Sequence, residues 1–278
     1  MKAGSNMVYA LFSLGLLAAV GAVYTAAIGY LWFRQERILF EPVALPQDEP
    51  LTNDADVHER WVEVPGARLS VAHLRLPNPR GVVFYLHGNS GNLKDCLAEI
   101  DALRQVNFDL VMFDYRGYGK SSGCIESEEQ LRADVRAVWD AHAQEYEGKR
   151  VVITGQSLGT ALAAGLAAEL CESGRAPDLT CLVSPYSSMG DLGDELYPWV
   201  PRQVLRYPLH TALHAAKVNG KLMLIHGDKD ELIGIHHSHA LRTAAPAAQL
   251  HCVEGAGHSD LHKFPSFRRA LEGALGCL

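Results

Sequence analysis

At 278 residues the chain has room for one large α/β domain or two small ones, and 48% hydrophobic against 21% charged residues is the balance of a globular protein with a full core. A formal charge of −7, with lysine and arginine scattered rather than blocked, argues against nucleic acid as a partner and leaves no polybasic patch. Six cysteines (Cys96, Cys124, Cys171, Cys181, Cys252, Cys277) stand far apart, without metal-type pairing or a disulfide pattern, so they leave the redox compartment open.

The amino-terminal segment differs from all that follows. Met7 to Phe33 holds no charged residue, and Lys2 and Arg34 bracket it. At about 1.5 Å per helical residue this run crosses a bilayer core of roughly 30 Å with length to spare. A cleaved signal peptide is the rival, with small residues near Thr25-Ala26-Ala27 as a cleavage site. The run exceeds a usual signal core and ends in Tyr30-Leu31-Trp32-Phe33, aromatics suited to a membrane interface, so an uncleaved single-pass anchor over residues 1–33 is expected. Lys2 and the free amino group balance Arg34 and Arg37, so the positive-charge rule assigns no side.

Residues 34–58 read as a linker rich in proline and acid, and residues 59–278 as the folded domain. Arg60–Val64 and Leu69–Leu76 flank Pro65-Gly66, a hairpin signal. Val82–Leu86 is a short apolar run of the kind buried on both faces of a sheet; Asn92–Gln105 has helical spacing; Leu110–Phe113 is a second buried strand. A helix over Glu128–Tyr146 and a strand over Val151–Thr154 follow. Thr180–Val183, Leu222–Ile225 and Gln249–Val253 supply later strands, with helices over about His236–Ala244 and Phe264–Leu275. A hairpin followed by strand–helix alternation predicts an α/β fold: a mostly parallel, eight-stranded sheet with helices on both faces, on the α/β-hydrolase plan. In such sheets chemistry collects beyond the carboxyl ends of the strands.

Gly155-Gln156-Ser157-Leu158-Gly159 falls at such an end, between a β-branched strand and a helical run. A serine between two glycines at that junction is the pattern of a nucleophile elbow, in which a sharp turn strains the serine and presents its hydroxyl. A serine hydroxyl needs a base, and in this fold the chain order is serine, acid, histidine. His258, in the small-residue loop Gly255-Ala256-Gly257-His258-Ser259 after the last strand, is the expected base. For the acid, Gly227-Asp228-Lys229-Asp230 offers two aspartates that composition does not separate. Oxyanion donors are expected from the backbone N–H groups of Leu158 and of Asn89, the latter in His87-Gly88-Asn89-Ser90-Gly91-Asn92. His87, Asp260 and His262 read as loop-stabilising groups rather than second bases.

Two other stretches read blandly. His236-His237-Ser238-His239 resembles a metal tract, but its rings are expected on different helix faces without a carboxylate partner, so a solvated helix start is expected and no metal. Asp114 to Gly123, with glycines 117, 119 and 123, fits neither phosphate-loop spacing and reads as a structural turn bordering the site.

With these motifs in order, the chain resembles the membrane-anchored α/β-hydrolases, serine hydrolases that include protein depalmitoylases and lysophospholipid lipases. The carriers are Leu39-Phe40-Glu41-Pro42, His87 to Asn92, Asp114 to Gly119, Gly155 to Gly159, Ser184-Pro185-Tyr186-Ser187-Ser188, His226 to Asp230 and Gly255 to His258. The resemblance implies Ser157, Asp230 and His258 as the triad, and an uncleaved anchor. The chain departs from the family in having Gln156 before the serine and Asn219-Gly220-Lys221 before a strand. Only about 37 residues separate Ser184 from Lys221, too few for a large lid; within this small cap Tyr197-Pro198-Trp199-Val200-Pro201 offers a stiff apolar wall. The expected activity is hydrolysis of an acyl ester or thioester, with a lipid or a lipidated protein as the candidate carrier, without a cofactor. A non-catalytic scaffold of the same fold and an amide or peptide hydrolase are the competing readings, and nothing in the sequence fixes the oligomeric state.

Overall fold

The computed structural model describes residues 2–97 and 101–278. Part of the helix expected over Asn92–Gln105 therefore lies outside the described residues; on either side stand α2 (Leu93–Cys96) and α3 (Asp101–Val106).

An eight-stranded sheet carries the fold. Its strands are β2 (Val57–Val64), β3 (Ala67–Leu74), β4 (Gly81–Leu86), β6 (Phe108–Phe113), β7 (Arg150–Gln156), β8 (Leu179–Val183), β9 (Lys221–Gly227) and β10 (Gln249–Val253). They lie in the order β10-β9-β8-β7-β4-β6-β3-β2. β2 and β3 form the hairpin expected around Pro65-Gly66, and β3 also pairs antiparallel with β6; every other pairing is parallel.

Alternation along the strands divides the core in two. Val82, Phe84, Val111, Phe113, Ile153 and Leu182 pack beneath α4 (Glu128–Ala143), α5 (Gly159–Glu172) and α8 (His236–Ala244). Val83, Leu110, Met112, Val152, Cys181 and Val183 point the other way, toward α3 and α9 (Pro265–Gly276). Strands covered on both faces need apolar residues at every position, which is why these runs are continuous rather than alternating.

The amino terminus differs in one respect from the division drawn at residue 33. Helix α1 runs Lys2–Leu39, so residues 34–39 of the expected linker are helical. Arg34-Gln35-Glu36-Arg37 are good helix formers and extend the apolar helix without a break. The remainder of that stretch is strapped to the domain. The short strand β1 (Glu41–Pro42) pairs with β5 (Ser90–Gly91), Leu45 N–H bonds the Gly119 carbonyl at 2.8 Å, and Phe40 and Leu51 are buried. Leu11–Leu39 is, among the described residues, the one helix long and apolar enough to cross a membrane.

The cap between β8 and β9 holds α6 (Met189–Leu196) and α7 (Thr211–Ala215), and it leans on α1. Gln35 Nε2 donates to the Val204 carbonyl at 3.0 Å, and its Oε1 accepts the Arg206 N–H at 2.6 Å. Tyr207 donates its hydroxyl to Glu36 at 2.9 Å, Arg206 pairs with Glu36, and the Tyr24 hydroxyl reaches the Trp199 carbonyl at 3.1 Å.

Chain order reverses around β4, which has β6 on one side and β7 on the other, so a crevice opens beyond the carboxyl ends of β4 and β7. Backbones approach closely there. A Cβ on Gly155 would lie 2.2 Å from the Gly159 carbonyl oxygen, and one on Gly159 would lie 2.1 Å from that of Leu86. Gly159→Ala must therefore push α5 away from β4, and its expected cost is about 1–3 kcal/mol. Urea denaturation measures this, with an unchanged midpoint as the contradicting result.

Candidate active site

Ser157 stands between β7 and α5 with φ of 50°, a left-handed conformation that a side-chain-bearing residue adopts only when its surroundings enforce it. The enforcement is visible on both sides: Ser157 N–H bonds the Val183 carbonyl at 2.9 Å, and its own carbonyl accepts the Thr160 N–H at 3.0 Å and the Thr160 hydroxyl at 2.6 Å. The turn aims the side chain at the loop after β10. His258 Nε2 lies 3.1 Å from Ser157 Oγ, and His258 Nδ1 lies 2.8 Å from Asp230 Oδ2. With Nδ1–H donated to the carboxylate, Nε2 is left to accept the serine proton. Ser157, His258 and Asp230 thus form one hydrogen-bonded line, contributed by three different loops.

Asp230 is buried, and burial alone would raise its pKa. Hydrogen bonds from His226, His258 and the Ile233 N–H outweigh burial and hold the carboxyl well below the usual carboxylate range. An acid depressed in the folded state stabilises the fold above its ordinary pKa, and that contribution fades only as pH falls through the depressed value. At neutral pH Asp230 is therefore a fixed negative charge.

Its loop is held from beneath by His226, fully buried at the end of β9. His226 Nδ1 meets Ser238 Oγ at 2.7 Å, while Nε2 reaches the Ile233 carbonyl at 2.7 Å and Asp230 Oδ2 at 3.3 Å. Asp230 Oδ1 accepts the N–H groups of Leu232 and Ile233 at 3.0 and 2.8 Å. Asp228, the other aspartate open on composition, is turned elsewhere and takes the Gly255 N–H at 2.6 Å. Asp260 accepts the Gly257 N–H at 2.7 Å. Both brace the loop that carries His258.

The loop after β4 faces Ser157 across the crevice. A Cβ on Gly88 would lie 3.7 Å from Ser157 Cβ, and among the described residues nothing accepts a hydrogen bond from the Asn89 or Leu158 N–H. Two tyrosines from the turn after β6 hold this loop. Tyr115 donates its hydroxyl to the His87 carbonyl at 2.8 Å, and Tyr118 donates to that of Asn89 at 2.5 Å. His87 is buried against Tyr115, its Nδ1 is 2.8 Å from the Gly88 carbonyl, and burial pushes its pKa down to about 4, so it is neutral at pH 7. Beside it burial pushes the Asp114 carboxyl up to about 7, against hydrogen bonds from the Leu93 and Lys120 N–H groups.

The histidine tract departs from the sequence expectation. His237 and Ser238 are buried rather than solvated, the rings of His236 and His237 stack at 4.5 Å instead of diverging, and Glu195 of α6 supplies the carboxylate missing from the local sequence. That partner is 41 residues from His236, beyond any local pattern. The structural support from His226 and Ser238 was likewise hidden, because both look ordinary in sequence.

Residues 77–208 match a family model described as serine aminopeptidase, S33, which spans the β4 loop and the Ser157 elbow but stops short of Asp230 and His258. The chain is 30% identical over 262 residues to an uncharacterised protein of Mycobacterium tuberculosis, covering 89% of each. It is 30% identical over 213 residues to alpha/beta hydrolase domain-containing protein 17B of Homo sapiens, covering 74% of this chain and 70% of that protein. The chain belongs to the α/β-hydrolase family. Its fold is also similar to an esterase of Pyrococcus furiosus, with a TM-score of 0.66 at 18% identity, covering 85% of this chain and 96% of that one. The α/β-hydrolase fold expected from strand and helix alternation is thus the fold observed.

The turn that supports the β4 loop is tied to α4 by a buried fork: Arg116 Nε and a terminal nitrogen reach the two oxygens of Asp134 at 2.6 and 2.9 Å. Asp134→Ala strands the guanidinium in the core, and breaking such a pair costs about 3–5 kcal/mol. Chemical denaturation reads the loss, and a change within experimental scatter contradicts this role.

Proposed function

We propose that the protein is a membrane-anchored serine hydrolase that cleaves acyl esters or thioesters through Ser157, His258 and Asp230. The observation that carries this reading is the hydrogen-bonded line from the strained Ser157 through His258 to an Asp230 that stays ionised. Ser157 Oγ attacks the acyl carbonyl as its proton passes to His258 Nε2. The oxyanion forms against the N–H groups of Asn89 and Leu158, each such donor being worth about 10²–10³ in rate. His258 then protonates the leaving alcohol or thiol, and an acyl-Ser157 remains. Water, deprotonated by His258, attacks that acyl group, and collapse returns the proton to Ser157. Asp230 keeps its charge throughout and fixes the tautomer of His258. No step calls for a cofactor.

The ester or thioester preference rests on the resemblance and on a cap too short to form a large lid, and the acyl group proposed is that of a lipid or lipidated protein. The match to a family described as an aminopeptidase favours a second reading, amide hydrolysis by the same residues. Matched oxyester, thioester and amide substrates over a range of acyl lengths separate the two readings, and the amide reading prevails if the amide is turned over fastest. A non-catalytic scaffold of this fold is disfavoured, since such a protein has no need of three converging groups.

Ser157→Ala is expected to abolish turnover while leaving thermal stability close to wild type, with a loss of about 10⁶ in kcat. Asp230→Asn should cost roughly 10⁴ by freeing the wrong tautomer, whereas Asp228→Asn should be far milder. Steady-state kinetics on purified variants checks both. Retained activity in Ser157→Ala defeats the mechanism, and a reversed aspartate ranking moves the acid to Asp228.

Residues 1–33 are proposed as the anchor and 59–278 as the catalytic domain, on a single-pass chain. About 20 residues span a hydrocarbon core, so the stretch Met7 to Ala26 suffices. Exposed Tyr24, Tyr30 and Trp32 on α1, with Tyr197 and Trp199 on the cap, then form an aromatic belt where headgroups begin. The contacts of Gln35 and Glu36 with the cap set the catalytic domain close against that surface. The full-length chain should resist extraction by alkaline carbonate and keep its amino terminus. Release into the carbonate supernatant, or a mature protein beginning at Ile28 or Gly29, contradicts the anchor.

A further inference from the structure

We infer that Glu195, His236 and His237 form a binding site for a divalent transition-metal ion of the Zn²⁺ type, clamping the cap to the start of α8. Glu195 lies on α6, and the two histidines open α8, directly after the Asp230 loop. One ligand atom from each residue falls within 4.8 Å of the others. Glu195 Oε1 is 2.7 Å from His236 Nε2 and 3.4 Å from His237 Nε2. Tetrahedral ligands about 2.0–2.1 Å from zinc stand roughly 3.3 Å apart. The second separation already meets this, and the first opens by a fraction of an ångström through movement of two exposed side chains.

Glu195 Oε1 pairs closely with His236 but stands 3.4 Å from His237 Nε2, without the alignment of a hydrogen bond. That ring is 1% exposed, and its Nε2, on the Glu195 side, has no hydrogen-bond partner among the described residues. A buried ring nitrogen without a partner carries a desolvation cost that a metal bond removes. Its other nitrogen is already provided for. His237 Nδ1 accepts the Ser187 N–H at 3.2 Å and is 2.9 Å from Ser187 Oγ, which itself donates to Asp191 Oδ2 at 2.7 Å. Metal on Nε2 requires the ring proton on Nδ1, which then donates to Ser187 Oγ in place of accepting the Ser187 N–H, giving the outer chain from imidazole to carboxylate that orients metal-bound histidines. The His236 ring folds over Gly234, where a Cβ would lie 2.5 Å from Nδ1, so the backbone is shaped to let this ring lie back beside His237. Two imidazoles and one carboxylate suit Zn²⁺, with water in the fourth position. Because the ligands come from the cap and from the helix behind the acid loop, an occupied site holds the cap down.

The test is Zn²⁺ competition between the full-length protein in detergent micelles and a chromophoric chelator, paired with thermal unfolding with and without Zn²⁺. The wild type should bind one equivalent and melt at a higher temperature when loaded. Glu195→Gln and His236→Gln, both at exposed positions, should each weaken binding at least tenfold and abolish the thermal shift. His239→Gln, on an exposed neighbouring ring, should leave both unchanged. The site is refuted if the wild type binds no stoichiometric Zn²⁺, if Glu195→Gln and His236→Gln bind as the wild type does, or if His239→Gln weakens binding equally. None of these outcomes depends on hydrolytic activity.

Discussion

The close passage of backbones where β7 turns into α5 is the constraint on which the site depends. Gly155 meets the Gly159 carbonyl, and Gly159 meets that of Leu86, at distances that no side chain survives. With the helix pressed this tightly on β4, Ser157 has no relaxed conformation available and is held at φ of 50°. Such strain costs about 1–3 kcal/mol and persists only because the packing around it is stronger. The same compression brings the β4 loop against the serine, so one packing event supplies both the strained serine and the amides that face it.

Two supports then act independently on the rest of the site. On one side His226, Ser238 and the Leu232 and Ile233 amides fix the Asp230 loop and keep its carboxyl charged, which orients His258. On the other, Tyr115 and Tyr118 hang from a turn pinned by the Arg116–Asp134 fork and hold the carbonyls of His87 and Asn89. Each charged group in these supports is paired or hydrogen-bonded, as burial demands. The cap joins the two extremes of the chain, reaching α1 through Gln35 and Glu36 and α8 through Glu195.

Much of this was legible in sequence because it is local. The strand runs, the elbow glycines and the loops bearing Asn89, Asp230 and His258 announce themselves within a few residues, and the strand ends fall within three positions of those expected. Helix α1 runs on to Leu39, past the anchor boundary, since the charges at Arg34 to Arg37 mark a membrane boundary but not a helix boundary. Asp228 and Asp230 separate only in three dimensions, where one faces Gly255 and the other His258. The burial of His237 and its neighbour Glu195 are hidden for the same reason: Glu195 comes from the cap, and periodicity does not register a partner across a fold. Substrate choice is the least legible feature, because one triad serves esters, thioesters and amides alike.

The central claim is that the elbow serine is the nucleophile, activated by its neighbours. Peptide mapping by mass spectrometry after treatment with a fluorophosphonate tests it most directly. The account predicts a single phosphonylated serine, Ser157, with labelling lost when His258 is replaced by alanine. A protein left unlabelled, or one labelled at another serine, would contradict it.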